Sequence, residues 1–143
     1  KPVEVLKARD FILVFDSQLK IENIKINKSE FDKLNIDPGG VAFTSQGNNC
    51  DFVSRFFTPQ STIFEDSVTG SSHCSLIPYW SRKLNKKKLK SIQLSERTGI
   101  LECEAHKNYI SISGNAIIYL KGKIFIWVEI LSYKNDHNGY WHN

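Results

Sequence analysis

Apolar residues fall in short runs whose period changes along the chain. The first run, "DFILVFDS", is continuous between polar flanks and predicts a buried strand from about Asp10 to Phe15. "KINKSEFDKL" predicts a short helix, with Ser29 as N-cap, Asp32 three residues on, and Phe31 and Leu34 as its apolar edge. It is expected to stop at "DPGG", because Pro38 cannot continue a helix and Gly39 and Gly40 tolerate positive φ. "VAFTS" and "DFVSRFF" are rich in β-branched and aromatic residues and predict two strands around the loop "QGNNC". The period then changes in "SSHCSLIPYWSRKL". Cys74, Ile77, Trp80 and Leu84 line one side of a helix, with Leu76 and Tyr79 off that stripe, so burial on more than one side is expected. Pro78 removes a backbone donor and predicts a bend or opening near Cys74. From "LKSIQLS" through "ILECEA" and "YISISGNAIIYLKGKIFIWVEI" the pattern predicts short strands broken at Gly99, Gly114 and Gly122. Mostly antiparallel strands around one largely apolar helix make an α+β domain.

Composition sets bounds on that picture. With 143 residues, 41% hydrophobic and 24% charged, the chain has the makeup of one globular domain with a real core. No apolar run approaches the ~20 residues of a membrane span and "KPVEVLKARD" has no signal-peptide core, so a soluble, cytoplasmic protein with no membrane partner is expected. Cys50, Cys74 and Cys103 are odd in number and lack CxxC spacing, which suits buried free thiols and neither a disulfide framework nor a zinc site. The chain has no methionine, so Lys1 is not an initiator and the sequence reads as processed or as a fragment. Arg82, Lys83, Lys86, Lys87, Lys88 and Lys90 form a basic run of the kind that can track phosphates. No aromatic residue interleaves them for base stacking, and cations suit a helix C-terminus. A solvated helix end is therefore the better reading, and nucleic acid is not an expected partner.

The chemistry is concentrated in "EDSVTGSSH", residues 65–73. If Gly70 and Ser71 open the helix, its first turn presents N–H groups without intrahelical partners, and the helix dipole adds partial positive charge. Such an end binds anions. Gly70 lets backbone approach a ligand, and the hydroxyl of Ser71 or Ser72 can add a donor to a carboxylate or phosphate. Asp66 would lie on the approaching strand or turn and could face the bound group. A carboxylate there is costly unless it accepts a proton or a donor from the ligand, which is what proton-transfer chemistry requires. The residues also have plainer roles. Asp66, Ser67 and Thr69 are favoured helix caps, His73 suits a packed core position, and Arg55 suits a pairing with a nearby acid.

"DFVSRFFTPQSTIFEDSVTGSSHCSLIPYW", followed by "LSERTGIL" and "ISGNAIIYLKGKI", resembles the second half of the phenazine-biosynthesis-like (PhzF-like) isomerase family, which shares the diaminopimelate epimerase fold. Gln93, Ser95 and Arg97 fit the family's Gln-x-Ser-x-Arg element. The resemblance runs over roughly residues 1 to 125, with a domain boundary placed at 126 and no role assigned to the tail, residues 127–143. Ser67 stands where the family has proline and Thr98 where it has a first glycine; neither change removes a functional group.

The resemblance implies a strand-rich barrel around a central helix, forming one of two similar halves whose helix N-termini face a shared active site. It implies that Asp66 positions substrate or relays a proton to it, and that Gly70 and Ser71 hold its carboxylate, with Ser72 beside them. It implies proton transfer at carbon on a small carboxylated metabolite without cofactor or metal. The principal acid/base, a glutamate, would belong to the missing first half. The expected partners are the metabolite and that half, or a second copy. A module from another class stands as the alternative: one that pairs with itself or another chain and performs no catalysis.

Overall fold

The strand-forming runs pair into a single mixed sheet. In this computed structural model, residues 1–36 and 39–125 are described. The strands are β1 (Glu4–Lys7), β2 (Phe11–Val14), β3 (Val41–Gln46), β4 (Phe52–Phe57), β5 (Glu65–Asp66), β6 (Lys88–Gln93), β7 (Gly99–Ala105) and β8 (Ile110–Ser113). The helices are α1 (Gln18–Glu22), α2 (Lys28–Phe31) and α3 (Gly70–Leu84). Strand order is β1-β2-β3-β4-β6-β7-β8, with β5 added to β4. The β2–β3 and β4–β6 pairs are parallel and the others antiparallel. A parallel pair needs a crossover, and α3 supplies the one between β4 and β6.

The sheet wraps α3. Leu76, Ile77 and Trp80 of the helix share one buried cluster with Ile12, Val14, Ala42, Phe52, Phe56, Leu89, Leu101 and Cys103, drawn from five strands. Trp80 stacks on Phe52 with ring centroids 5.9 Å apart, and its indole N–H donates to Thr44 Oγ1 at 2.9 Å, so its one polar atom is satisfied inside the core. A second cluster on the other sheet face joins Phe43, Val53 and Phe57 to Ile21 of α1 and Phe31 of α2. The helix is thus central, as the resemblance implies, but the sheet is not a closed barrel: β1 and β8 are not paired with each other among the described residues.

Several local expectations are corrected. The buried stripe of α3 is Ser72, His73, Leu76, Ile77 and Trp80, while Cys74 is exposed. The reason is the opening between β1 and β8: Pro78 and Arg82 line depressions on both flanks of the helix, so that side looks out. The helix runs through Pro78 as one element. The first predicted helix is shorter, Lys28–Phe31, and its cap is Asn27, whose side chain accepts from Ser29 N and Glu30 N. Pro38 lies outside the described residues, while Gly39 has φ +141°, the freedom expected of it. Of the thiols only Cys103 is buried; burial pushes it up to about 12. Beyond β8, residues 114–125 form no regular element, against the strands expected there, and their side chains are exposed. The tail from 126 onward lies outside the described residues.

Candidate active site

The opening motif is built around Thr69, the N-cap of α3. Its backbone is extended, as a cap requires, yet its side chain makes no capping bond. The hydroxyl turns instead to Asp66 on β5 and donates to Oδ2 at 2.6 Å. The N-terminus of α3 is therefore left without a side-chain cap, and a Cβ built on Gly70 would meet nothing within 4 Å. Donors, positive helix end and open space coincide there. The end opens on a depression of about 630 Å³ lined by Val68, Gly70, Arg97, Ile100, Ser113 and other residues.

Gln93 and His73 hold Thr69 from behind. Gln93 of β6, fully buried, accepts from Thr69 N at 2.9 Å and donates to Asp66 O at 2.8 Å and Thr69 Oγ1 at 3.2 Å. His73 reaches back with Nδ1 to Thr69 O at 2.8 Å, and a carbonyl only accepts, so Nδ1 carries the proton. Nε2 then accepts from the Ser91 hydroxyl at 2.9 Å. Burial lowers the His73 pKa from its ordinary 6.5, which keeps the imidazole neutral. Two residues before Thr69, the carbonyl of Ser67 accepts from Ser95 Oγ at 2.6 Å.

Ser71 and Ser72 diverge. Ser72 Oγ is buried and donates to Thr69 O at 2.9 Å, so of the two hydroxyls expected to add a donor it is the one engaged within the turn. Ser71 is exposed, and its Oγ accepts from Arg9 Nη2 at 3.0 Å. A guanidinium cannot accept, so the Ser71 proton is left to donate outward. Arg9 comes from the β1–β2 turn and is held by the buried carboxylate of Asp10, which also accepts from Gly40 N at 3.0 Å. Neither the contact of Arg9 with Ser71 nor those of Gln93 with Asp66 and Thr69 is readable from local spacing, because these partners are distant in the chain.

Arg55 takes the structural part expected of it. It grips Glu65 with two bonds of 2.7 and 2.8 Å and donates to the carbonyl of Ile24, anchoring β5 and hence Asp66. Among the described residues no cluster of three or more His, Cys, Asp or Glu is placed to hold a metal ion, and no helix is long and apolar enough to cross a membrane.

Residues 2–122 match the model of the phenazine biosynthesis-like protein family, PhzC-PhzF. The chain belongs to this family. A Pseudomonas aeruginosa protein described as an uncharacterized isomerase is 43% identical over 86% of the chain and 47% of its own length. The crystal structure of a phenazine biosynthesis PhzC/PhzF protein from Clostridium difficile superposes with a TM-score of 0.79 at 46% identity, covering 88% of this chain and 48% of that one. A PhzF family protein from Enterococcus faecalis gives the same TM-score at 38% identity, again over 88% and 48%. The chain thus spans about half the length of the PhzF relatives it matches, and the match does not itself assign it to the second half.

Proposed function

We propose that this chain is one half, the second, of a PhzF-type isomerase with the diaminopimelate epimerase-like arrangement. It would act by cofactor-independent proton transfer at carbon on a small carboxylated metabolite. The observation that carries the reading is the pairing of Asp66 with the N-cap residue of α3: Thr69 gives its hydroxyl to Asp66 and leaves the helix N-terminus without a side-chain cap. A substrate carboxylate binds at Gly70 and Ser71, met by backbone N–H groups and the outward hydroxyl of Ser71. Asp66 then stands on one face of the neighbouring carbon. One acid/base group removes the proton and leaves its electron pair on carbon, delocalised toward the carboxylate; the group on the other face returns a proton. That second group would come from the other half.

The exposed apolar segment after β8 supports a missing partner. Ile117, Ile118, Tyr119 and Leu120 are all more than four-fifths exposed, ranging from 82% to 99%. Apolar surface of this kind is uncommon on true monomers. A non-catalytic docking module would share that feature, but it has no need of an uncapped helix end beside a held carboxylate.

An NMR titration of this chain with sodium acetate tests the anion site. Saturable shifts at the Gly70 and Ser71 amides are expected, absent with sodium chloride at equal ionic strength. Ser71→Ala should weaken acetate binding about fivefold, the loss of one hydrogen bond worth about 1 kcal/mol. Shifts confined to other parts of the chain would contradict the site.

A further inference from the structure

Two of the groups bonded to Gln93 can bond in one sense only. Thr69 N–H donates and the Asp66 carbonyl accepts, so their contacts at 2.9 and 2.8 Å fix which end of the Gln93 amide is oxygen and which is nitrogen. Nε2 therefore also presents an N–H to Thr69 Oγ1, at 3.2 Å. A hydroxyl has a single proton, and Nε2 cannot accept it. Thr69 must send it elsewhere, and Asp66 Oδ2 lies 2.6 Å away. Asp66 Oδ1 has no partner among the described residues, and it is not among the buried atoms that lack one, so it reaches solvent. Gln93 itself is fully buried on β6 behind this turn.

We propose that Gln93 is a positioning residue: by donating into the Thr69 hydroxyl it commits that proton to Asp66 Oδ2 and presents Oδ1 as the one oxygen through which Asp66 exchanges protons with a ligand. The inference rests on the reading of Asp66 as an acid/base group. It adds a direction to it. Proton transfer then follows a single line from Oδ1, because Oδ2 is held from behind and rotation of the carboxylate would break the Thr69 bond.

The test is the Asp66 carboxyl carbon resonance in the chain labelled with carbon-13 aspartate, assigned by its loss in Asp66→Asn. Thr69→Val, which removes the hydroxyl at constant shape, should shift that resonance, and Thr69→Ser, which keeps it, should not. Gln93→Met should shift it in the same direction, and Thr69→Val with Gln93→Met together should move it no further than Thr69→Val alone. A Gln93→Met chain whose Asp66 signal stays in place, or a double variant whose shifts add, overturns the proposal. If Gln93→Met does not fold, the unmodified chain decides. A slowly exchanging Thr69 hydroxyl proton with cross-relaxation to the Gln93 side-chain amide is expected, and a hydroxyl that exchanges like an exposed one overturns the proposal. None of these signals depends on turnover, so an Asp66 found inert in catalysis with the signals intact would sink the acid/base reading instead.

Discussion

Inside the sheet, His73 is fully buried, which penalises a second ring proton. Its pKa is lowered by burial, while Thr69 O and Ser91 Oγ already satisfy both nitrogens of the neutral ring. A depressed histidine resists protonation when folded, whereas the unfolded chain takes up a proton as pH falls through about 6.5. Stability is therefore complete above that value and is lost as pH falls toward the lower folded pKa. Chemical denaturation from about pH 7 to about pH 5 should show that slope, and His73→Asn should flatten it. Glu4, Asp16 and Asp32 are lowered by hydrogen bonds from Lys83, Lys20 and Lys28, so their contributions fade only at lower pH and do not blur this window. At this scale residue type was informative where partners are local: Thr69 does stand at the cap, and His73 is packed in the core. Which serine faces out, and what stands behind Thr69, depends on Arg9 and Gln93, and no local spacing carries that.

Elements whose burial pattern is strong were legible: β2, β3, β4 and α3 lie where continuous apolar runs and the helical period put them. β1, α1 and β5 were not, because β1 buries only alternate residues partly, α1 buries Ile21 alone, and β5 is two residues held by pairing to β4 and by Arg55. Thr98, noted as a departure from a family glycine, has φ +55°, so a β-branched residue occupies backbone that favours glycine. The next residue is more constrained. A Cβ on Gly99 would lie 2.1 Å from Val68 Cγ2, in the loop that carries the motif into α3. Gly99→Ala should therefore cost about 1–3 kcal/mol, the usual range for overpacking, and Val68→Ala should recover most of it. Denaturant midpoints of the two single variants and the double variant check this; strictly additive losses would mean that the steric contact is not the cause.

For the whole molecule, charge and apolar surface point in different directions. The basic run is largely answered by acids: Lys83 pairs with Glu4 at 2.6 Å, Lys86 pairs with Asp51 at 2.7 Å, and Lys88 and Lys90 stand opposite Glu104 and Glu102 across β6 and β7. The exposed apolar segment has no such answer within the described chain, so association is expected. In sedimentation the unmodified chain should form dimers or larger species at micromolar concentration. Ile117→Lys with Tyr119→Lys should shift it toward monomer without changing its thermal midpoint by more than a few degrees; a chain monomeric from the outset would contradict this.

The central claim is that Asp66 supplies one of two proton-transferring groups and that the other lies outside this chain. Hydrogen–deuterium exchange at the carbon beside the carboxylate of a candidate substrate, followed by NMR in heavy water, tests it most directly. The samples are this chain alone, the chain combined with the complementary half of the family architecture, and the same combination carrying Asp66→Asn. Exchange is expected only in the combined protein, and Asp66→Asn should reduce it at least a hundredfold, the low end of general acid–base catalysis. Full exchange by the monomeric chain alone, or undiminished exchange with Asp66→Asn, would contradict the account.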